Sequence, residues 1–547
     1  MSGPPAASAA SPPALELRHV AKRFGGVLAN DDVSFAAVAG SIHALVGENG
    51  AGKTTAMRIA FGLLAPDRGE VAVDGVPRRF AGSREAVRLG IGMVHQHFAL
   101  VEAMTVTENV VLGAEPGSPW AIDLAAASGR VAALGRELGL PVDPAARVAR
   151  LSVAERQRAE LLKALYREAR VLILDEPTAV LAPPEAAALF TVLRRMRDRG
   201  RTVVLITHRL SEVLAVADEV TVMRDGRVVA AREVQGLDAA ELARLIVGRE
   251  PPPRAARTRA RPGAPVLAVR GLTVAAAAAG SRSGGRPRLD GVSFDVRAGE
   301  ILGVAGVEGN GQTELVEALA GLAGPFGRPT VAGVSGTVSF APPGLAANGA
   351  APGLVDLAAA GVRRRRQLGI AHVPEDRRRR GLLLALDLAE NSILGVHDRP
   401  PAAVGPLHGW LDRAAIRRRA AAILARFAVR PAAVGLRAGE LSGGNQQKLV
   451  VGRELSLPPR LLLLAQPTRG VDLGGSALIH RQILALRDAG CAVLLVSSEL
   501  EELMALADRL LVLHRGRVAG ELDPARATAA AVGLLMTGET AAAGAPG

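Results

Sequence analysis

Residues 47–55 read GENGAGKTT, the pattern of a phosphate-binding loop. The run IHALV (42–46), typical of a strand, precedes this first loop, and AMRIAFGLL (56–64), typical of a helix, follows it. In such a loop, glycines let backbone N–H groups surround phosphates, the Lys53 amine reaches the outer phosphates, and the Thr54 hydroxyl can ligate Mg²⁺. The stretch therefore predicts a nucleotide-binding α/β domain.

A second motif, VLILDEP (171–177), places two adjacent carboxylates at the end of an apolar strand. Burying charge is costly, so such a pair indicates function more than packing, although a surface turn is the alternative. Asp175 suits a Mg²⁺ ligand, and Glu176 suits a general base that orients or deprotonates the attacking water.

The chain repeats itself: NDDVSFAAVAGSIHALVGENGAGKTT (30–55) matches LDGVSFDVRAGEILGVAGVEGNGQTE (289–314). Residues 151–178 and 202–229 match 441–468 and 491–518 in the same way. Gly306 follows Gly47 by 259 residues, whereas Leu441 follows Leu151 by 290, so the second copy carries 31 extra residues. We place them in the Gly/Ala/Pro-rich stretch around 325–365.

Each copy alternates short β-branched runs with Ala/Leu/Arg-rich helical stretches, which predicts α/β layers around a largely parallel sheet. The linker PPPRAARTRARPGAP is too polar to be buried. The predicted organisation is a disordered tail at 1–13, a first domain at 14–250, the linker at 251–265, a second domain at 266–537 and a disordered tail at 538–547.

Composition limits the possible functions. The net charge of +13 is compatible with binding to nucleic acid or to an anionic membrane surface, and also with a basic face that is simply solvated. Aromatic residues make up only 2% of the chain, which argues against a protein that stacks the bases of single-stranded nucleic acid. For the arginine runs at 363–366 and 377–380, a solvated basic face is the favoured interpretation. The lone Cys491 excludes a disulfide framework, fits a reducing compartment, and is expected to be a small buried residue of a strand.

No apolar stretch reaches the roughly 18–20 residues of a membrane helix, and MSGPPAASAASPPA lacks the features of a signal peptide. If the protein works at a membrane, we expect another chain to supply the span. His95 and His97 flank Gln96 without ligand partners at metal spacing, so zinc is not expected.

With these motifs, residues 14–535 closely resemble the ATP-binding subunits of ABC transporters. LSGGNQQK (441–448) resembles the signature motif, Gln96 in MVHQHF the Q-loop glutamine, and His208 in ITHRL the switch histidine that contacts the γ-phosphate. Phe24 in KRFGG resembles the aromatic that stacks on adenine, with a core aromatic as the alternative. The resemblance implies two tandem P-loop NTPase domains, each with a mixed or parallel sheet core and a helical subdomain.

Two halves in one chain, with LSGGNQQK, PEDR and QPTRG in the second, are similar to the sugar/nucleoside branch of bacterial importers. GIGMVHQHFALVEAMTVTENVVLG and GVAGVEGNGQTELVEAL look more like the nucleoside subgroup than the ribose or galactose subgroup. The resemblance implies an ATP-hydrolysing subunit at the cytoplasmic face of the membrane. Its expected partners are two transmembrane permease subunits and, indirectly, an extracytoplasmic binding protein, with no nucleic acid.

In this family, each ATP lies between the phosphate loop of one domain and the signature motif of the other. For what we call site one, the implied catalytic residues are Glu176, His208 and Gln96, and the implied Mg²⁺ ligands are Thr54, Asp175 and Gln96. The implied ATP-binding residues are Phe24, Gly47, Glu48, Asn49, Gly50, Ala51, Gly52, Lys53, Thr54, Thr55, Ser442, Gly443 and Gly444.

What we call site two keeps the glycines of the second loop (306–314) but loses the groups that carry charge and transfer protons. Val153 and Ala154 stand where the signature glycines would be. Its degenerate residues are Gly306, Gly311, Gln312, Thr313, Glu375, Ala465, Gln466 and Ser498. We therefore expect one productive hydrolysis site per chain.

Two other function classes fit less well. Soluble ABC translation factors usually keep both ATP sites and carry a long charged helical linker, whereas this linker has about fifteen residues. DNA-repair ABC ATPases need Cys-rich zinc modules, which one cysteine cannot supply. Pairing of the halves within one chain is favoured over pairing of two chains, because the intact and degenerate motifs complement each other.

Overall fold

The computed structural model describes residues 12–95, 98–118, 121–179, 181–248, 258–275, 287–322, 333–342, 354–358, 360–404 and 410–538. It divides into two compact units, Met1–Pro251 and Pro252–Gly547. Most of the predicted tails, about half of the linker and much of the predicted insertion lie outside the described residues.

The first unit alternates strands and helices. Its elements are β1 (Leu15–Phe24), β2 (Val27–Ala37), β3 (Ile42–Gly47), α1 (Lys53–Ala60), β4 (Arg68–Val73), β5 (Val76–Arg78), α2 (Ser83–Arg88), β6 (Ile91–Val94), α3 (Val106–Val111), β7 (Gly117–Ser118), β8 (Ala121–Ile122), α4 (Leu124–Leu138), α5 (Val153–Tyr166), β9 (Val171–Asp175), α6 (Pro183–Asp198), β10 (Thr202–Ile206), α7 (Leu210–Val216), β11 (Glu219–Arg224), β12 (Arg227–Glu233) and α8 (Ala239–Val247).

A six-stranded sheet in the order β12-β11-β3-β10-β9-β6 forms the core of this unit. The neighbours from β11 to β6 pair in parallel, and β12 runs antiparallel at the edge. Strands such as VLILD and TVVLI are buried throughout, as expected for a parallel sheet covered on both faces. Because parallel strands end at one edge, β3, β9 and β10 bring the first loop, Asp175 and His208 to the same edge.

A second, antiparallel sheet in the order β2-β1-β4-β5 shares an apolar core with α1. Helices α3, α4 and α5 pack on one another around Val110, Val131 and Leu162. The mixed sheet core and helical subdomain predicted from the sequence are therefore confirmed for the first unit.

The second unit repeats this architecture. Its elements are β13 (Pro265–Val274), β14 (Leu289–Arg297), β15 (Ile301–Ala305), α9 (Gln312–Ala320), β16 (Val334–Phe340), β17 (Val355–Asp356), α10 (Val362–Gln367), β18 (Ile370–Val373), α11 (Leu388–Ser392), β19 (Ala403–Val404), β20 (Trp410–Leu411), α12 (Arg413–Arg426), α13 (Gly443–Leu455), β21 (Leu461–Ala465), α14 (Leu473–Asp488), β22 (Ala492–Val496), α15 (Leu500–Leu506), β23 (Arg509–His514), β24 (Arg517–Leu522) and α16 (Ala529–Thr537).

Its sheets run β18-β21-β22-β15-β23-β24 and β14-β13-β16-β17, the same arrangement as in the first unit. Cys491 is buried directly before β22, and burial raises the pKa of its thiol to about 12, which agrees with the prediction of a small buried residue. No helix among the described residues is long and apolar enough to cross a membrane.

The interpretation of 363–366 as a solvated basic face is wrong at Arg365. This side chain is buried and donates to the carbonyl oxygens of Ala318, Leu319 and Leu357, at 2.9, 2.5 and 2.6 Å. Arg366 pairs with the buried Glu454 at 2.9 Å. These two arginines satisfy polar groups of the fold, because buried carbonyls and carboxylates need donors.

Candidate functional site

The first loop has a backbone that only glycine can follow at two positions. Gly52 has φ 93°, and a Cβ there would lie 2.3 Å from the Ala29 carbonyl oxygen. A Cβ on Gly47 would lie 2.1 Å from the carbonyl oxygen of Met223 on β11. The first loop therefore packs closely against other segments of its own unit, and its last three residues, from Lys53 onward, form the start of α1.

Lys53 folds back over this loop. Its Nζ donates to the carbonyl oxygens of Gly47 and Glu48, at 2.7 and 3.0 Å, and the residue is 6% exposed. Burial lowers the pKa of the amine, and the nearby carboxylates of Glu176 and Asp175 oppose that shift. The amine lies where phosphate oxygens would replace the two carbonyl acceptors.

Asp175 ends β9, and the Thr54 hydroxyl lies near enough to oppose the rise in the pKa of its carboxyl group. It is 4% exposed, and burial together with the neighbouring Glu176 raises its pKa to about 6. A hydroxyl beside a carboxylate at a phosphate loop is the oxygen donor set that Mg²⁺ prefers. Thr54 and Asp175 therefore fit a magnesium–nucleotide complex.

Glu176 is held next to His208. Its φ is 50°, its N–H donates to the Ile206 carbonyl at 2.9 Å, and its Oε1 lies 3.0 Å from His208 Nδ1. Burial raises the pKa of Glu176, but the hydrogen bond and charge of His208 outweigh this and keep the pKa below its usual range. An ionised carboxylate beside a histidine can orient and activate a water molecule.

Two supporting residues were missed by the motif analysis. Buried Glu212 accepts from the hydroxyls of Thr207, at 2.6 Å, and Thr178, which ties the end of β10 to the turn after β9. The side-chain amide of buried Asn30 donates to the Gly52 carbonyl at 3.1 Å and so holds the first loop in position. The repeat carries a signal for Glu212, because Glu502 occupies the matched position and accepts from Thr468 at 2.8 Å.

Phe24 is 46% exposed at the end of β1, with Lys22 Nζ 5.8 Å from its ring centroid. The alternative of a core aromatic is therefore wrong, and stacking on adenine stays a prediction. Gln96 and His97 lie outside the described residues.

The second unit has the same backbone arrangement at this sheet edge, with different side chains. Gln312 stands where Lys53 does and donates to the Val307 carbonyl at 3.1 Å. Ala465 ends β21, and Gln466 takes a φ of 51°, close to that of Glu176. Ser498 donates through its N–H and its hydroxyl to Gln466 Oε1, at 3.0 and 3.1 Å. The pair at this edge is neutral and has no group suited to act as a base.

The motif LSGGN opens α13. Ser442 is the N-cap, and the side-chain amide of Asn445 donates to its hydroxyl at 2.9 Å. A Cβ on Gly444 would lie 2.8 Å from the Gly470 carbonyl oxygen. In the first unit, Ser152 caps α5 and its hydroxyl donates to Glu155 at 2.8 Å, so a carboxylate stands at that helix start.

Comparisons with known proteins agree with this geometry. The model of the ABC transporter family matches residues 30–179 and 289–469, one match in each unit. The chain is 41% identical to the nucleoside import ATP-binding protein NupA of Lactococcus lactis subsp. cremoris, over 96% of this chain and 98% of that protein. It is 41% identical to the guanosine import ATP-binding protein NupO of Bacillus subtilis, over the same shares.

A third relative, the ribose import ATP-binding protein RbsA 1 of Rubrobacter xylanophilus, is 40% identical over 97% of this chain and 100% of that protein. The resemblance inferred from the motifs is therefore confirmed, as is the predicted fold class. The chain belongs to the ABC transporter family, as an ATP-binding protein with two copies of the family's domain and an ATPase activity coupled to transport.

Proposed function

We propose that this chain is the ATP-hydrolysing subunit of a bacterial importer for nucleosides, and that hydrolysis takes place at site one. The observation that carries the proposal is the contact of 3.0 Å between Glu176 and His208, beside the buried Lys53. This contact places an ionised carboxylate and a histidine side by side at one sheet edge, near the amine that would bind phosphate.

The chemistry follows from these side chains. Lys53 binds the outer phosphates, and its charge offsets theirs in the transition state. Glu176 orients the attacking water and accepts its proton, while His208 fixes the carboxylate and contacts the γ-phosphate. Bound Mg²⁺ supplies charge neutralisation on the phosphates, and Thr54, Asp175 and Gln96 are the residues proposed to hold it.

Three residues of the second unit belong to the proposal. Ser442, Gly443 and Gly444 open the thirteen-residue helix α13, and small residues at a helix start leave backbone N–H groups accessible to a phosphate. We assign them to ATP binding. Phe24, exposed at the end of β1, is assigned to the adenine ring.

Nucleosides are the proposed cargo because two relatives at 41% identity, matched over 96% of this chain, carry nucleoside and guanosine in their names. A simple sugar such as ribose or galactose is the second candidate, favoured by ribose import relatives at 40% and 41% identity. A thermal-shift screen of the partner binding protein against nucleosides and pentoses separates the two. Stabilisation by pentoses alone would replace the nucleoside assignment.

The proposed partners are two membrane-spanning permease chains, with this subunit at the cytoplasmic face of the membrane and a binding protein on the other side. A groove of about 910 Å³ in the first unit supports permease docking. Its floor is apolar at Phe61, Ile91 and Met93, and its rim is basic at Arg84, Arg88, Lys163 and Arg167. An apolar permease segment with acidic flanks complements this surface.

The direct test is transport by proteoliposomes that contain the permease chains, this subunit and the binding protein. We expect uptake of a labelled nucleoside that depends on ATP and is lost with Glu176→Gln. Unchanged uptake by that variant would contradict the assignment of site one, and uptake of ribose but not of a nucleoside would contradict the assigned cargo.

A further inference from the structure

We propose that a cavity in the first unit binds a guanidinium group, with the carboxylates of Glu219 and Glu233 as its anionic partners. The cavity is lined by residues of β1, β2, β3, β11 and β12, and we call it the polar cavity. Its volume of about 660 Å³ falls within the ~300–1,000 Å³ typical of ligand sites. The inference goes beyond the proposed function, because no residue assigned to site one lines this cavity.

Two carboxylates face each other in its wall. Glu219 on β11 and Glu233 on β12 are cross-strand partners, and like charges directly opposite each other destabilise a sheet. Burial, Glu233 and Asp218 all raise the pKa of Glu219. Among the described residues, no lysine or arginine forms an ion pair with either carboxylate of this cross-strand pair. A cation in the polar cavity would relieve their repulsion.

The arginines that line the polar cavity are directed to other partners. Arg18 pairs with Glu16 at 2.7 Å and with Glu70 at 3.3 Å. Arg232 donates to the carbonyl oxygen of Ala231 at 2.9 Å. Neither arginine therefore neutralises the cross-strand pair.

Buried His43 holds Glu219 in place without supplying charge. Its Nδ1 lies 3.0 Å from Glu219 Oε2, and its Nε2 lies 2.8 Å from Thr221 Oγ1. Burial lowers the pKa of His43 to about 4, so the ring is neutral at neutral pH. The carboxylate is thus fixed in the cavity wall with its charge uncompensated.

The second unit shows which group fits this place. Arg509 stands at the position matched to Glu219, 290 residues later. Its guanidinium donates to the carboxylates of Glu300 and Glu521, at 2.9 and 2.8 Å. It also donates to the backbone carbonyl of Asp295 at 2.6 Å. A guanidinium therefore fills the space between the same strands of the repeat.

The first unit has small residues where these acceptors stand. Ser41, Ala231 and Ala36 occupy the three matched positions, and Ala36 and Ala231 line the polar cavity. The Ala36 carbonyl corresponds to the Asp295 carbonyl that accepts from Arg509. A guanidinium from another molecule would find a backbone carbonyl and two carboxylates here, acceptors that its planar set of donors matches.

The test is isothermal titration calorimetry of the full chain with two guanidinium probes, agmatine and N-acetyl-arginine amide. We expect saturable binding that Glu219→Gln and Glu233→Gln each weaken at least about tenfold, because a hydrogen bond to a charged group is lost. Gln at position 219 keeps an acceptor for His43. The control is Glu137→Gln, which removes the same charge from α4, outside the polar cavity, and should bind as the wild type does.

A filled variant gives a second test. Ser41→Glu, Glu219→Arg and Ala231→Glu together rebuild the contacts of Arg509 in the first unit and should abolish binding of both probes. Calorimetric melting without ligand checks that this variant and the two Gln variants are folded.

The two probes distinguish the source of the guanidinium. Binding of agmatine alone would assign a free guanidinium compound, whereas binding of the blocked arginine would assign the side chain of a partner chain. The proposal is overturned if neither probe binds the wild type, or if both Gln variants bind as tightly as the wild type.

Discussion

At the scale of single residues, the two units differ in which groups carry charge at the same sheet edge. Glu176 and Gln466 share a φ near 50°, and each lies against the residue that follows the next strand, His208 or Ser498. One pair is ionised and the other is neutral. The backbone geometry is the same while the side chains differ, so the proposed difference in catalytic capacity rests on side-chain identity.

Replacing the loop glycine Gly52 by alanine should abolish ATP binding, because the added Cβ would lie 2.3 Å from the Ala29 carbonyl. The matched control is Gly236→Ala: its φ of 86° is similar, nothing lies within 4 Å of the new Cβ, and the residue lies outside the first loop. Equilibrium dialysis with labelled ATP measures both variants, and Gly236→Ala should keep ATP binding. Equal loss in the two would show that backbone strain that destabilises the fold, and not the close approach at position 52, abolishes binding.

Buried His43 makes stability depend on pH. Burial lowers the pKa of His43 to about 4, from 6.5 in the unfolded chain, so the folded state prefers the neutral ring. The stabilisation is complete above pH 6.5 and is lost as pH falls toward 4, by on the order of 3 kcal/mol in total.

Leu302 occupies the matched position of the second unit and is also buried, so His43→Leu is the natural comparison. Between pH 7 and pH 5, the variant should lose less thermal stability than the wild type, as followed by calorimetry. An equal decrease in both proteins would show that other groups dominate the pH dependence.

At the scale of elements, the sequence predicted the repeated order of strands and helices, because each β-branched run is bounded by turn residues and occurs twice. The family resemblance implied which residues form site one, and the structure adds that the parallel strands β3, β9 and β10 bring the first loop, Asp175 and His208 to one edge. The hydrogen bond from the Thr313 hydroxyl to Glu375, at 2.8 Å, could not be predicted, because it depends on side-chain directions across a gap of 62 residues. Burial of Arg365 was missed for the same reason, since its carbonyl partners belong to other segments.

The groove of the first unit provides a test at this scale. Arg84→Glu together with Arg88→Glu reverses charge on its rim and should weaken capture of the permease chains by at least about tenfold, because like charges across an interface repel. Arg130→Glu, on α4 and outside the lining of the groove, is the control. Undiminished co-purification of the double variant with the permease would place docking elsewhere.

At the scale of the whole molecule, the two units keep one architecture but differ in the side chains at one sheet edge. The first brings Lys53, Asp175, Glu176 and His208 together there. The second has Gln312, Ala465, Gln466 and Ser498 at the matched positions, together with the intact motif LSGGN. We therefore expect one productive hydrolysis site per chain.

Gln312→Ala should change ATP turnover only modestly, because the Gln312 amide contacts the Val307 carbonyl of its own loop and carries no charge. Steady-state phosphate release by the complex with the permease measures this effect. Complete loss of turnover, with the protein still folded, would show that site two performs chemistry.

The most direct measurement is the steady-state ATPase rate of Glu176→Gln in complex with the permease chains. The comparison is the rate of Gln466→Ala, which changes the matched residue of the second unit. The account predicts that Glu176→Gln reduces turnover by roughly 10²–10⁴-fold, while Gln466→Ala leaves it near that of the wild type. Retention of more than half of the wild-type rate by Glu176→Gln would contradict the claim of a single hydrolysis site built on Glu176.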